Sequence, residues 1–203
     1  MNAATTRPEA ARDRILRATM RLIGESGVGA VTNRAVAKAA GVSLGSLTYH
    51  FPSQADLLRE SLHRFVDDEI GRITARLEQL REAGIDPDQA ADEVEKAIVG
   101  FSYGPEEIAN LELHLQAARD PEVRKAAERS IKAYDQLATA VLTALGIPDA
   151  ERHAPTVVAL FYGLAIRRLS TGDTTASGTA DALRLFLHGA LAQPARQGDS
   201  APN

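Results

Sequence analysis

A chain of 203 residues with no cysteine excludes disulfide scaffolds and thiolate metal sites. A net charge of −4 argues against a polycation that coats nucleic acid without selection. The length allows one or two helical units with a real core, and no apolar run is long enough to cross a bilayer. The first residues carry no signal-peptide core, so a soluble, cytoplasmic protein is expected.

The chain reads as nearly all helix, without an alternating strand pattern. A first helix is expected from near Thr6, where Thr6 and Glu9 have capping-box spacing and Pro8 suits the first turn. Gly27 and Gly29 end it. Residues 31–51 then read as a helix, a glycine turn and a second short helix, the layout of a helix-turn-helix DNA reader. Val36, Ala37, Ala40, Val42 and Leu47 supply its buried seam. Gly41 suits a positive φ at the end of the first of these helices, and Ser43 can cap the second. The second helix runs to about His50, too short to stand alone in water.

Its remaining residues, Ser43, Leu44, Gly45, Ser46, Thr48, Tyr49 and His50, are mostly small or hydroxylic and suit close approach to a major groove. Hydroxyls can bond base edges or phosphates, and apolar atoms can touch thymine methyls. Gly45 weakens a helix, which a close backbone approach would rationalise. Thr32, Asn33 and Arg34 open the preceding helix, where free N–H groups favour a phosphate. A plain structural helical hairpin is the alternative reading of the same pattern.

Ser53 and Asp56 repeat the capping box ahead of a long fourth helix carrying Leu58, Leu62, Phe65, Ile73, Leu77 and Leu80, closed by Gly84. Prolines 87, 105, 121 and 148, each beside an acid, mark the first turns of helices five to eight. A loop over 172–178 precedes a ninth helix ending near Leu191, and both tails, 1–5 and 193–203, look disordered. Residues 1–60 hold eight basic and five acidic residues, a surplus of three, which leaves −7 on the remainder. A basic head on an acidic body fits a DNA module joined to a non-DNA domain.

In the eighth helix Val157, Val158, Leu160, Phe161, Leu164, Ala165, Ile166 and Leu169 are apolar around more than one seam. Leu183, Leu185, Phe186, Leu187, Ala190 and Leu191 repeat this in the ninth. With Gly163 and Gly189 permitting close approach, a twofold four-helix interface between two copies is expected. An apolar monomer core is the alternative.

Residues 30–58, with 14–27 before them, resemble the tetracycline-repressor-like (TetR/AcrR) family of bacterial transcription regulators. The resemblance is specific over about the first sixty residues and agrees beyond them only in length and layout. It implies an all-α fold of about nine helices. A three-helix DNA-binding domain would occupy 1–52, a ligand-binding and dimerisation domain 53–192, and a tail 193–203. It further implies a homodimer through helices eight and nine, with recognition helices about 34–36 Å apart on a near-palindromic double-stranded operator. A small apolar or amphipathic ligand would shift the population toward a state with the heads apart, the fourth helix acting as lever. The candidate ligand contacts are Phe65, Phe101, Tyr103, Leu111, His114, Leu115, Tyr134, Phe161 and Tyr162. The bland reading of these aromatics is ordinary core, and His114 fits equally a half-buried histidine bonded to a backbone carbonyl.

One position departs from the family. Gln54 stands where a Lys usually contacts phosphate, so a weaker contact and a shallower salt dependence are expected there. The five histidines form no His-x-x-x-His pair, no phosphate loop follows a strand, and adjacent acids such as Glu106–Glu107 and Asp67–Asp68 diverge on a helix. No enzyme activity, cofactor, metal or membrane partner is therefore expected. The alternative to ligand control is a DNA-binding regulator governed by a protein partner.

Overall fold

The computed structural model describes residues 10–82, 89, 92, 104–172 and 178–192. The expected capping box at Thr6 and Glu9, the helix from Pro87, the loop after Gly172 and both tails lie outside them. So do Gly84, Phe101, Tyr103 and the side chains of Leu77 and Leu80. Among the described residues there are eight α-helices and no strand. They are α1 (Ala11–Ser26), α2 (Asn33–Ala40), α3 (Leu44–His50), α4 (Gln54–Glu82), α5 (Pro105–Gln116), α6 (Pro121–Ala144), α7 (Ala150–Thr171) and α8 (Thr179–Ala192). A 3₁₀ turn, Val28–Ala30, joins α1 to α2. The all-α class expected from the sequence holds. Among the described residues no helix is long and apolar enough to cross a membrane.

The chain divides into two compact units. The first comprises residues up to 69 together with 103–130, and the second 70–102 with 131–203. In the first, α1 presents Ile15, Leu16, Thr19, Met20 and Ile23 to the interior at spacings of one helical turn. α2, α3 and α5 all pack against α1. Leu57, Leu58, Leu62, Phe65 and Val66 of α4 are buried as well, and Ile73 further along is half-buried. Arg12 of α1 lies over the Phe51 ring at 5.6 Å and pairs with Glu60 at 2.8 Å, joining α1 to the start of α4.

In the second unit Ala138 and Leu142 of α6 cluster with Ala154, Val157 and Val158 of α7 and Leu187 and Ala190 of α8. Leu160 and Phe161 close over Ala180 and Leu183. α5 and α6 begin at their prolines as expected, with Asp120 Oδ1 accepting the Glu122 N–H at 2.9 Å. α7 differs. It starts at Ala150, so Pro148 precedes the helix rather than standing in its first turn. The reason is local: Gly146, at φ 72°, ends α6 with Ile147 N–H bonded to the Leu142 carbonyl at 2.9 Å. Asp149 at φ 51° then turns the chain into α7. Pro155 sits inside α7, where the sequence reading placed no break.

Candidate nucleic-acid interface

The short helices α2 and α3 owe their geometry to three local devices. Thr32 caps α2, its hydroxyl accepting the Ala35 N–H at 3.2 Å. Gly41, at φ 63° and ψ 40°, ends it. The Val42 N–H then reaches back to the Ala37 carbonyl at 3.0 Å, a Schellman closure that a Cβ at position 41 would strain. Ser43 caps α3 by accepting the Ser46 N–H at 3.1 Å. Val36, Ala37, Ala40 and Leu47 are buried as the sequence implies, while Val42 is only half-buried.

What α3 leaves outside is unusual for a helix surface. Tyr49 is 82% exposed and Leu44 45%. Ser43, Gly45 and Thr48 are exposed beside them, and Ser46 and His50 are half-exposed. The Tyr49 and His50 rings meet edge-to-face at 5.3 Å, which restrains both. Thr48 donates its hydroxyl proton to the Leu44 and Gly45 carbonyls at 3.1 and 3.2 Å. Outwardly it can therefore offer lone pairs and a methyl group. Among the described residues a Cβ at Gly45 would meet nothing nearer than the Ser43 hydroxyl at 4.0 Å, so no packing among them requires glycine there.

Thr32, Asn33 and Arg34 are all exposed at the N-terminal end of α2. Gln54 is exposed too, but its amide already donates to the Val31 carbonyl at 2.9 Å. Next to it Ser53 and Asp56 form a reciprocal pair: the Asp56 N–H donates to the Ser53 hydroxyl, which donates to the Asp56 carboxylate at 2.7 Å. That hydroxyl, and then the Arg59 guanidinium, hold the Asp56 carboxyl below its ordinary value of 3.8.

The described candidate ligand residues fall in both units. Phe65, Leu111, His114 and Leu115 belong to the first, and Tyr134, Phe161 and Tyr162 to the second. Phe65 is buried, Leu111 and His114 are half-buried, and Leu115 is 66% exposed. His114 Nδ1 lies 2.8 Å from the Asn110 carbonyl, which can only accept, so Nδ1 carries the proton. Burial lowers the His114 pKa from 6.5, and the Asn110 bond partly opposes it. Tyr134 and Tyr162 meet edge-to-face at 6.2 Å, and both, with Phe161, pack on the second unit's core. An open groove in that unit is lined by Thr139, Thr143, Asp149, Ala150, Glu151 and Arg152, none of them a candidate ligand contact.

Two contacts beside the helix-turn-helix escaped the sequence reading. Gly24 lies so close to the Pro105 carbonyl that a Cβ would collide with it. Glu112 accepts the Val28 N–H at 2.6 Å. Both contacts join segments more than eighty residues apart, and no periodicity signals them.

All helical among the described residues, with a capped helix-turn-helix that exposes an aromatic side chain on its second helix, the fold is that of the helix-turn-helix DNA-binding regulators. The family description "Bacterial regulatory proteins, tetR family" matches residues 15–61, and "Tetracyclin repressor-like, C-terminal domain" matches 85–193. The chain belongs to the TetR family of transcription regulators.

The HTH-type transcriptional repressor KstR of Mycobacterium tuberculosis is 42% identical over 78 residues, 38% of this chain and 34% of that protein. The match thus spans about a third of that relative's length. Among solved structures, a TetR family member from Streptomyces coelicolor superposes with a TM-score of 0.70 at 26% identity, covering 88% of this chain and 98% of that one. A transcriptional regulator from Rhodococcus gives 0.71 at 25% identity, covering 91% and 100%. The multidrug binding protein EbrR complexed with ethidium gives 0.69 at 26%, covering 87% and 98%.

Proposed function

We propose that the chain is a repressor that binds a near-palindromic operator as a homodimer and leaves it when a small apolar or amphipathic molecule binds. The observation that carries the DNA half is the outward face of α3, with Tyr49 and Leu44 set among hydroxyls on a helix whose first turn Ser43 caps. In this reading Leu44, Gly45, Ser46, Thr48 and Tyr49 approach base edges, with Ser43 and His50 at the ends of the helix. Thr32, Asn33 and Arg34 take the phosphate backbone, with Gln54 as a neutral neighbour. Residues 1–52 would serve as the reading domain, and 53–192 as the domain for ligand and dimer.

The dimer reading rests on α7 and α8. Ile166, Leu169, Leu185 and Leu191 are exposed. Gly163 and Gly189, also exposed, would have nothing among the described residues within 4 Å of an added Cβ. Glycine in mid-helix costs about 1 kcal/mol relative to alanine, and no contact among the described residues demands it. A second copy packing on this face would use both features.

For the ligand we favour the aromatic group Tyr134, Phe161 and Tyr162, which lies within one unit and combines ring faces with hydroxyls. The likeness to a protein solved with ethidium supports this reading. We assign the chain no catalytic role, and place it in the cytoplasm with its DNA.

Selection of duplexes from a random-sequence library by the purified chain, followed by footprinting, tests this. One enriched near-palindrome protected on both halves is expected. No enriched sequence at low salt would overturn the DNA reading.

A further inference from the structure

α5 follows the long α4 in the chain and lies within the segment matched by the family's C-terminal description. By packing, however, it belongs to the unit that holds the helix-turn-helix. Two contacts bind it to the end of α1. At its first residue the Pro105 backbone rests on Gly24, with no room for a side chain at position 24. Two turns on, Glu112 Oε1 accepts the backbone N–H of Val28 at 2.6 Å.

The second contact has a particular geometry. Gly27 ends α1 at φ 82° and ψ 162°. The Glu112 carboxylate oxygen lies only 3.4 Å from where a Gly27 Cβ would stand. The carboxylate therefore occupies the space beside the glycine. It also satisfies the first N–H of the 3₁₀ turn, a donor that such a turn leaves without an internal partner. That turn leads directly to Val31, whose carbonyl accepts from Gln54, and to Thr32, the cap of α2. The entry to the helix-turn-helix is thus gripped at one end by Glu112 of α5 and at the other by Gln54 of α4.

We propose that Glu112 is a positioning residue for operator recognition. It touches no DNA. It fixes the Val28–Ala30 turn, and through it the placement of α2 and α3, which must be held to a fraction of an ångström for base readout. Without the carboxylate, Val28 loses its acceptor and α2 enters from a looser hinge. The proposal rests on the DNA-binding reading above.

The test compares wild type, Glu112→Ala and Glu112→Gln on the duplex that the wild type selects from a random-sequence library. Circular dichroism and amide exchange at Val28 are measured in parallel. Glu112→Ala is expected to keep its helix content, to exchange the Val28 amide faster and to bind about tenfold more weakly. Glu112→Gln keeps the length and a carbonyl acceptor, and is expected to recover most of the affinity and the protection. If Glu112→Ala loses helix content, Glu112→Met takes its place, with similar bulk and no oxygen.

Equal binding by wild type and the variant without an acceptor would overturn the proposal. So would a Glu112→Gln variant that protects Val28 yet binds no better. A wild type that selects no duplex would bring down the DNA reading, and the role of Glu112 with it, and is distinguishable because it needs no variant.

Discussion

The outward face of α3 and those of α7 and α8 both expose large apolar side chains, yet they are made differently. On α3 the aromatic ring and the leucine stand among Ser43, Ser46 and Thr48, with Asn33 and Arg34 nearby in sequence. On α7 and α8 the exposed Ile166, Leu169, Leu185 and Leu191 are accompanied by Gly163 and Gly189. The first composition suits a partner that offers hydrogen-bond edges and methyl groups side by side, as a major groove does. The second suits another helix, which offers close-packed hydrocarbon and little else. Exposed apolar area alone does not identify a partner; the polar groups interleaved with it do.

Breaking the aliphatic face should have the larger effect. Leu185→Asp would put a charge twice into the proposed twofold contact, and should weaken self-association at least about a hundredfold. Sedimentation would show a monomer, and operator binding should fall with it. A variant that remains dimeric would remove α8 from the interface. Gly45→Ala should act on the other face and in opposite directions on two readouts. Thermal stability should rise by up to about 1 kcal/mol, because α3 gains helix propensity and the added methyl meets nothing. Operator affinity should drop several-fold, because the methyl occupies the approach to the groove. Unchanged binding would mean that the backbone of α3 stays clear of the DNA.

Acid should sharpen the distinction between the units. His63 of α4 has a buried Nε2 without a hydrogen-bond partner among the described residues. Burial, with Arg129 adding to it, lowers its pKa from 6.5, against the opposing influence of Glu60 and Asp67. His114 is lowered chiefly by burial as well. Both lie in the first unit. A depressed folded value means that the unfolded chain takes up the proton first. Their contribution to stability is therefore complete above pH 6.5 and declines as pH falls from there through the lowered folded values. Hydrogen exchange at pH 5 and pH 7.5 should show faster opening of α4 and α5 in acid, and no change there would contradict the assignment. The smallest effect is expected from Gln54→Lys, which should steepen the logarithmic salt dependence of operator binding by roughly one unit per subunit.

Local chemistry was the legible part of this molecule. Gly41 and Ser43 announce the turn and the cap of α3 because each device is complete within four or five residues, whereas the cap by Thr32 was not read from the sequence. The burial of Val36, Ala40 and Leu47 follows from helical spacing in the same way. The start of α7 was missed by two residues because the Gly146 closure and the turn at Asp149 displaced it from Pro148. Glu112 and Gly24 were invisible for a different reason. A carboxylate on an amphipathic helix reads as solvated surface until the fold brings a backbone N–H to it. A glycine near a helix end reads as a terminator until another backbone is found against it. Gln54 was expected from the family resemblance to make a weakened phosphate contact; its bond to the Val31 carbonyl, a contact across 23 residues, had no sequence signal.

The most direct test of the account is Tyr49→Ala, measured against wild type on the selected duplex with oligomeric state followed in the same samples. Tyr49 is 82% exposed, and the one ring it meets among the described residues is that of His50. The account predicts an unchanged fold and dimer, with operator affinity reduced at least about tenfold. Wild-type affinity in the Tyr49→Ala protein would contradict it and remove α3 from the reading surface.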